Sequence, residues 1–263
     1  MDKKNEKDVS QLLNELDKTQ ISLLPKEKSV QKLQIFENTI HLYGPPGIGK
    51  STFCAQDWMM FADCEGGLGG LNVYQIPINN WEKFKDVARE FLKGEHKFKA
   101  ICIDRIEVLF NICQFYISQK HEIEHPSDMD WGKGWSLLHD EFMRPIIALS
   151  ISKYGLFTIS HDTDRTIKTR TGEYTKTIPS LSGSGPNSCY SIVVSIADLI
   201  IHMDYDDTGT KRILEIKGNK NLVAKSRHKN IELERIELSD QPEKSFSTFE
   251  KIWNEKVLGQ KKS

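Results

Sequence analysis

The sequence predicts an α/β fold: a mainly parallel central sheet flanked by helices, with an antiparallel hairpin near the C-terminus. Three observations predict it. An apolar run at 39–43 leads into a glycine-rich loop and then a helix starting at Lys50. Short apolar runs alternate with amphipathic helix-length segments as far as residue 159, the pattern of βαβ units. Two later strand-like runs, 199–205 and 211–217, are joined by Asp206-Asp-Thr-Gly209, a hairpin signal.

Each element has a local reason. Residues 1–33 are polar and rich in Lys, Glu and Gln, with one helical stripe of Val9, Leu12, Leu13 and Leu16. They read as a solvated arm or as a helix docking on a neighbouring subunit, ended at Leu24-Pro25. After the glycine-rich loop, strands are expected at 58–62 and at 73–76, the latter stopped by Pro77. Asn80 caps a helix with an apolar face of Trp81, Phe84, Val87, Ala88, Phe91 and Leu92, closed by Lys93-Gly94. The wholly apolar run 100–103 is typical of a central parallel strand. Helices follow at 107–119 and 136–153, separated by a Gly/Trp/Pro-rich loop at 125–135. A further strand is expected at 156–159. Residues 161–188 lack a clear period, and a last short run lies at 221–224. The organisation read from this pattern is an arm (1–33), a core (34–230) and a C-terminal extension (231–263) whose last residues, 259–263, fray.

Composition excludes several classes. Of 263 residues, 38% are hydrophobic and 28% charged, enough apolar material for a core. Lys and Arg number 36 against 37 Asp and Glu, so nucleic-acid contact must rest on a local basic stripe. No apolar run approaches the roughly 18 residues of a membrane span. The charged start, Met1 to Asp8, has no apolar segment of a secretory signal, and a cytoplasmic location without membrane contact is expected. Five cysteines without a CxxC pair read as reduced and buried.

The glycine-rich loop carries the chemistry. Gly44-Pro45-Pro46-Gly47-Ile48-Gly49-Lys50-Ser51, followed by Thr52, fits G-x-x-x-x-G-K-[ST]. In this motif glycines let backbone N–H groups face phosphate oxygens. Lys50 reaches the β/γ-phosphates, Ser51 ligates Mg²⁺, and the helix start adds its dipole. Asp104 ends the apolar strand at 100–103 and is placed to support the metal. Glu65, in Phe61-Ala-Asp-Cys-Glu65-Gly-Gly67, can polarise an attacking water, with Glu107 as rival base. The expected cofactors are ATP and Mg²⁺.

Phe61-Ala-Asp-Cys-Glu65 resembles the F-I-D-A-E segment that carries the catalytic Glu of RecA-type recombinases, and Ile101-Cys-Ile-Asp104 resembles their second acidic strand. Leu156-Phe-Thr-Ile-Ser-His161 resembles the strand ending in their γ-phosphate sensor, a Gln in RecA, which makes His161 the counterpart. A closer similarity is to the phage nucleotide-binding family of RecA-like P-loop ATPases, which includes phage single-strand-annealing recombinases. It rests on Glu65-Gly-Gly-Leu68, His125-Pro-Ser-Asp128, Gly132-Lys-Gly-Trp135, Ser160-His161 and Ala224-Lys-Ser-Arg227, over about residues 38–230. Arg105 departs from the pattern, since RecA-type proteins place Ser or Thr after the acid. The resemblance implies a RecA-like P-loop core, ATP hydrolysis and single-stranded DNA binding. It also implies a ring or filament of identical subunits and action in annealing or strand exchange, with a single-strand-binding protein as a further candidate partner. In such oligomers basic residues near 225 reach the neighbour's ATP, which makes Lys225 and Arg227 candidates acting in trans.

Arg165, Lys168, Arg170, Tyr174 and Lys176 follow His161 and suit phosphate neutralisation and base stacking. A solvated hairpin turning at Arg170-Thr-Gly-Glu173 is the other reading. Trp131 and Trp135 are expected to anchor their loop, with base stacking as the alternative. Two other functions fit the motifs: a nucleotide-gated adaptor or loader with little turnover, and a small-molecule kinase with residues 161–176 as its lid.

Overall fold

A computed structural model describes residues 25–28, 31–183, 185–186, 188–228 and 233–259. The stripe Val9 to Leu16 and the frayed tail beyond residue 259 lie outside them.

The parallel strands are β1 (Thr39–Tyr43), β2 (Met59–Asp63), β3 (Tyr74–Pro77), β4 (Ala100–Asp104) and β5 (Gly155–Ser160). With β8 (Leu199–Tyr205), β9 (Arg212–Glu215) and β11 (Arg235–Glu237) they lie in the order β11-β9-β8-β1-β5-β4-β2-β3. Pairing is parallel from β8 to β3 and antiparallel for β8–β9 and β9–β11. The two-residue β10 (Lys225–Ser226) pairs antiparallel with the start of β8. It replaces the strand expected at 221–224.

Strands β1, β2, β4 and β5 are buried along their whole lengths, as continuous apolar runs require when helices cover both faces. One face packs on α2 (Trp81–Lys93), α3 (Ile106–Lys120), α4 (Lys133–Ser150) and α5 (Cys189–Ile196). Helix α2 begins where Asn80 accepts the N–H of Lys83 at 2.9 Å, and ends at left-handed Gly94 (φ 81°). The Trp81 indole donates to Glu141 at 2.8 Å, tying α2 to α4.

The other face holds α1 (Lys50–Cys54) and α6 (Ser245–Gly259). Helix α1 has only five residues, since the chain turns at 55–58 to enter β2. The C-terminal extension is woven into this layer. Phe246 and Phe249 are fully buried against Phe53, Trp253 is fully buried against Phe249, and the Trp253 indole donates to the Leu33 carbonyl at 2.9 Å.

Residues 162–179, where the sequence shows no period, form a long hairpin. It comprises β6 (Asp162–Thr169) and β7 (Gly172–Pro179), separate from the main sheet. Its residues are mostly exposed, so no apolar alternation marks them. The five cysteines are unpaired, and four of them, all but Cys64, are buried. Among the described residues no helix is long and apolar enough to cross a membrane.

Candidate functional site

The C-terminal ends of the parallel strands converge on the phosphate loop. β1 ends at Tyr43, and the loop starts against β8. A Cβ on Gly44 would lie 2.0 Å from the Met203 carbonyl oxygen, so only glycine fits there. Gly47 and Gly49 adopt φ of 78° and 104°, the left-handed region that aims successive N–H groups to one side.

Lys50 is buried, and burial lowers its pKa against the attraction of Asp162, Asp104 and Glu107. Its ammonium donates to the carbonyls of Gly44 and Pro45, both at 2.8 Å. It also lies 3.4 Å from His161 Nδ1. An ammonium only donates, so Nδ1 is the acceptor and the imidazole proton sits on Nε2. Burial, then the charges of Arg105 and Lys50, lower the His161 pKa and favour this neutral ring.

Ser51 Oγ donates to Asp104 Oδ2 at 2.6 Å. Asp104 is buried at the end of β4, directly opposite Asp63 of β2. Burial raises its pKa, with the Ser51 hydrogen bond opposing. Asp63 acts locally on the backbone. Its Oδ1 accepts the N–H groups of Glu65 and Gly66 at 3.2 and 2.8 Å and shapes the turn that presents Glu65.

Arg105 lies between two acids. Its Nε donates to Glu65 Oε2 at 2.6 Å and its Nη1 to Glu107 Oε1 at 2.9 Å. The preceding Asp104–Arg105 peptide is cis. Glu65 is exposed, whereas Glu107 Oε2 is buried without a hydrogen-bond partner. Burial pushes Glu107 up to about 6, although backbone N–H groups and Arg105 favour its charged form.

Two donor sets thus face the loop: cations and N–H groups for phosphate oxygens, and the Ser51–Asp104 pair for a hydrated cation. Among the described residues no cluster of three His, Cys, Asp or Glu side chains could hold a metal by itself. A divalent cation here would depend on Ser51, Asp104 and phosphate oxygens together, as Mg²⁺ bound with a nucleotide does.

A buried polar chain behind His161 has no signal in the sequence. His41 on β1 is fully buried, and burial pushes its pKa down to about 3. Its Nδ1 is 2.9 Å from Thr158 Oγ1 and its Nε2 3.1 Å from Ser160 Oγ, while Ser160 Oγ donates to the His161 carbonyl at 2.9 Å. His41 stands amid the strand run Thr39-Ile-His-Leu-Tyr43, and only the register with β5 brings it beside Ser160.

The hairpin grows directly from His161. Its root is fixed by Asp162, 3.1 Å from His202 Nε2 on β8. Opposed pairs share a face, so Arg165–Lys176 and Ile167–Tyr174 lie on one side and Asp164–Thr177 and Lys168–Glu173 on the other. Lys220 stacks 4.5 Å over the Tyr174 ring on the first side. Arg170 sits in the exposed turn.

Lys225 and Arg227 are not brought to the phosphate loop of their own chain. Lys225 pairs with Ile200 at the beginning of β8, and the Arg227 N–H bonds to the Asp198 carbonyl just before it, both at the opposite end of the strands. Lys225 donates to the Val194 carbonyl at 2.8 Å, and Arg227 to Asp198 at 3.2 Å and to the Ser195 and Ile196 carbonyls. Both therefore satisfy the end of α5. The expected anchoring holds for Trp135, which packs edge-on against His125 with ring centroids 5.3 Å apart, but not for Trp131. Trp131 is fully exposed with φ 56°. The loop is instead closed where Gly134 meets Pro126, with room for no Cβ.

This topology and loop define a RecA-like P-loop NTPase fold, with an added antiparallel hairpin. The chain belongs to the AAA domain family, AAA_24, which it matches over residues 37–228. Two solved structures are similar at low identity. A KaiC-like protein from the archaeon Pyrococcus horikoshii is 15% identical with a TM-score of 0.43, over 79% of this chain and 88% of that one. The RadB recombinase is 12% identical with a TM-score of 0.45, over 79% and 89%. No curated protein matches the chain.

Proposed function

We propose that this protein is an Mg²⁺-dependent ATPase of phage recombination type, which couples ATP turnover to single-stranded DNA and promotes annealing or strand exchange. The observation that carries this reading is the junction at His161. One residue touches Lys50 of the phosphate loop and also begins the basic hairpin.

In this reading Lys50 holds β- and γ-phosphate oxygens, and Ser51 with Asp104 holds the metal. Mg²⁺, when bound, neutralises charge on the phosphate oxygens. Glu65 takes the proton of the attacking water, and His161 Nε2–H donates to a γ-phosphate oxygen. The face with Arg165, Lys176 and Tyr174 grips the DNA backbone and stacks a base, with Lys168 and Arg170 adding longer-range attraction. Subunits assemble in a ring or filament, where Lys225 and Arg227 would have to leave α5 to reach a neighbour. The cell compartment is the bacterial cytoplasm, where a single-strand-binding protein is a natural partner.

Arg105 favours a second reading. Its ion pair with Glu65 occupies the candidate base, which suits a nucleotide-gated adaptor with little turnover. Steady-state ATP hydrolysis with and without single-stranded DNA separates the two. DNA-stimulated turnover that Glu65→Gln abolishes supports the ATPase. Tight ATP binding without turnover supports the adaptor.

A further inference from the structure

One buried group has no task in the phosphate chemistry. His41 is fully buried on β1, opposite Thr158 of β5, and its ring stacks parallel to that of Tyr43 with centroids 6.0 Å apart. Burial pushes its pKa down to about 3, so near neutral pH the ring carries a single proton for its two nitrogens.

The position of that proton sets the direction of a hydrogen-bond chain. Each hydroxyl along Thr158–His41–Ser160 donates once, and so does the neutral ring. In one direction Thr158 Oγ1 donates to His41 Nδ1 (2.9 Å), His41 Nε2 donates to Ser160 Oγ (3.1 Å), and Ser160 Oγ donates to the His161 carbonyl (2.9 Å). In the other direction Ser160 donates to the ring, the ring to Thr158, and Thr158 to the Ile40 carbonyl at 3.4 Å. The first direction ends on the shorter bond and directs the Ser160 proton to His161. The His161 carbonyl also accepts the Ser180 N–H at 2.8 Å, just after β7 returns beside Asp162. This carbonyl is thus the point where the residue touching Lys50, the start of the hairpin and its return all meet.

We infer that His41 is a positioning residue for His161: with its proton on Nε2, it makes Ser160 a donor that fixes the peptide joining His161 to the hairpin. The inference deepens the proposed function and rests on the reading of His161 as the γ-phosphate sensor. Without the Ser160 bond, the carbonyl is left on the Ser180 N–H, so the peptide follows the hairpin and not the core. Misplacing a group at a reacting centre by about 1 Å costs up to about 100-fold in rate.

The test has two readouts on the full-length chain. The first is nitrogen-15 NMR of the histidine side chains near neutral pH without nucleotide. His41 should show a protonated Nε2 and a bare Nδ1. Ser160→Ala and His41→Leu should shift the His161 ring signals. His41→Gln, whose amide N–H can reach Ser160, should leave them as in wild type. The second readout is ATP titration and single-turnover hydrolysis with Mg²⁺. Ser160→Ala should slow hydrolysis by about 10- to 100-fold with ATP affinity little changed, whereas a merely structural loss weakens binding and rate together. A proton on His41 Nδ1, His161 signals unmoved in Ser160→Ala, or an unchanged rate in Ser160→Ala while His161→Ala is slow overturns the positioning role. If His161→Ala hydrolyses ATP at the wild-type rate, the sensor reading falls, and the NMR result alone decides whether His41 holds the peptide.

Discussion

Arg105 Nε donates to Glu65 Oε2 across 2.6 Å, so a guanidinium holds the carboxylate that the proposed mechanism uses as its base. The same guanidinium reaches Glu107, whose pKa burial pushes up to about 6. The two acids are therefore unequal: Glu65 is exposed to an incoming water, and Glu107 faces the protein. Glu65→Gln is expected to lower the ATP turnover number by about 10²–10⁴-fold, the usual contribution of a general base, with nucleotide affinity little changed. Glu107→Gln should lose much less. Single-turnover hydrolysis of both variants checks this, and a larger loss in Glu107→Gln reverses the assignment.

The contact between Gly44 and Met203 predicts a stability effect. A methyl group on Gly44 would overlap the Met203 carbonyl, and the chain around it is closely packed. Gly44→Ala should destabilise the fold by about 1–3 kcal/mol, as overpacking does, and weaken ATP binding by displacing the loop. Urea denaturation and ATP titration measure the two effects.

His41 predicts a pH dependence. Its pKa is pushed down to about 3 in the folded chain, below the ordinary value of 6.5, so the unfolded chain binds the extra proton first. Its contribution is therefore lost as pH falls below 6.5, amounting to about 2 kcal/mol at pH 5. Glu107 acts in the opposite sense below about 6. The comparison with His41→Asn isolates the histidine: the fall in stability between pH 7 and pH 5 should be smaller in the variant.

The two faces of the hairpin predict unequal DNA effects. Arg165 and Lys176 oppose each other without an intervening acid, whereas Lys168 opposes Glu173. Arg165→Ala or Lys176→Ala should weaken single-stranded DNA binding and reduce the salt slope by about 0.7 each. Lys168→Ala should do less. Fluorescence anisotropy over a salt series distinguishes them.

The C-terminal helix predicts a core effect. Trp253 is fully buried beside Phe249 and His228, and its indole is hydrogen-bonded to Leu33. Trp253→Ala should destabilise the chain by about 3–5 kcal/mol, measured by denaturation.

Much of the sheet is legible in the sequence because buried parallel strands are continuous apolar runs, and because Asn80 and Gly94 mark the ends of a helix chemically. The phosphate loop is legible because its glycines and Lys50 are adjacent in sequence. The rest depends on register. His41 meets Ser160 only because β1 pairs with β5, and Asp63 shapes a turn only through the two N–H groups that its oxygen accepts. Residues 162–179 show no apolar period because an exposed ribbon needs no apolar face, and only the turn at Arg170-Thr-Gly-Glu173 marks the hairpin in the sequence. Arg212 and Asp240 are 28 positions apart, and only the pairing of β9 with β11 brings their segments together. Trp131 misleads because aromatic size alone suggests burial.

In the proposed function, ATP bound at this loop is hydrolysed and the hairpin links hydrolysis to DNA. The most direct measurement is the ATP turnover rate of wild type and Lys50→Ala, with and without single-stranded DNA. Turnover should rise with DNA in wild type and be absent from Lys50→Ala. Turnover that persists in Lys50→Ala, or a wild type with no hydrolysis under either condition, would contradict it.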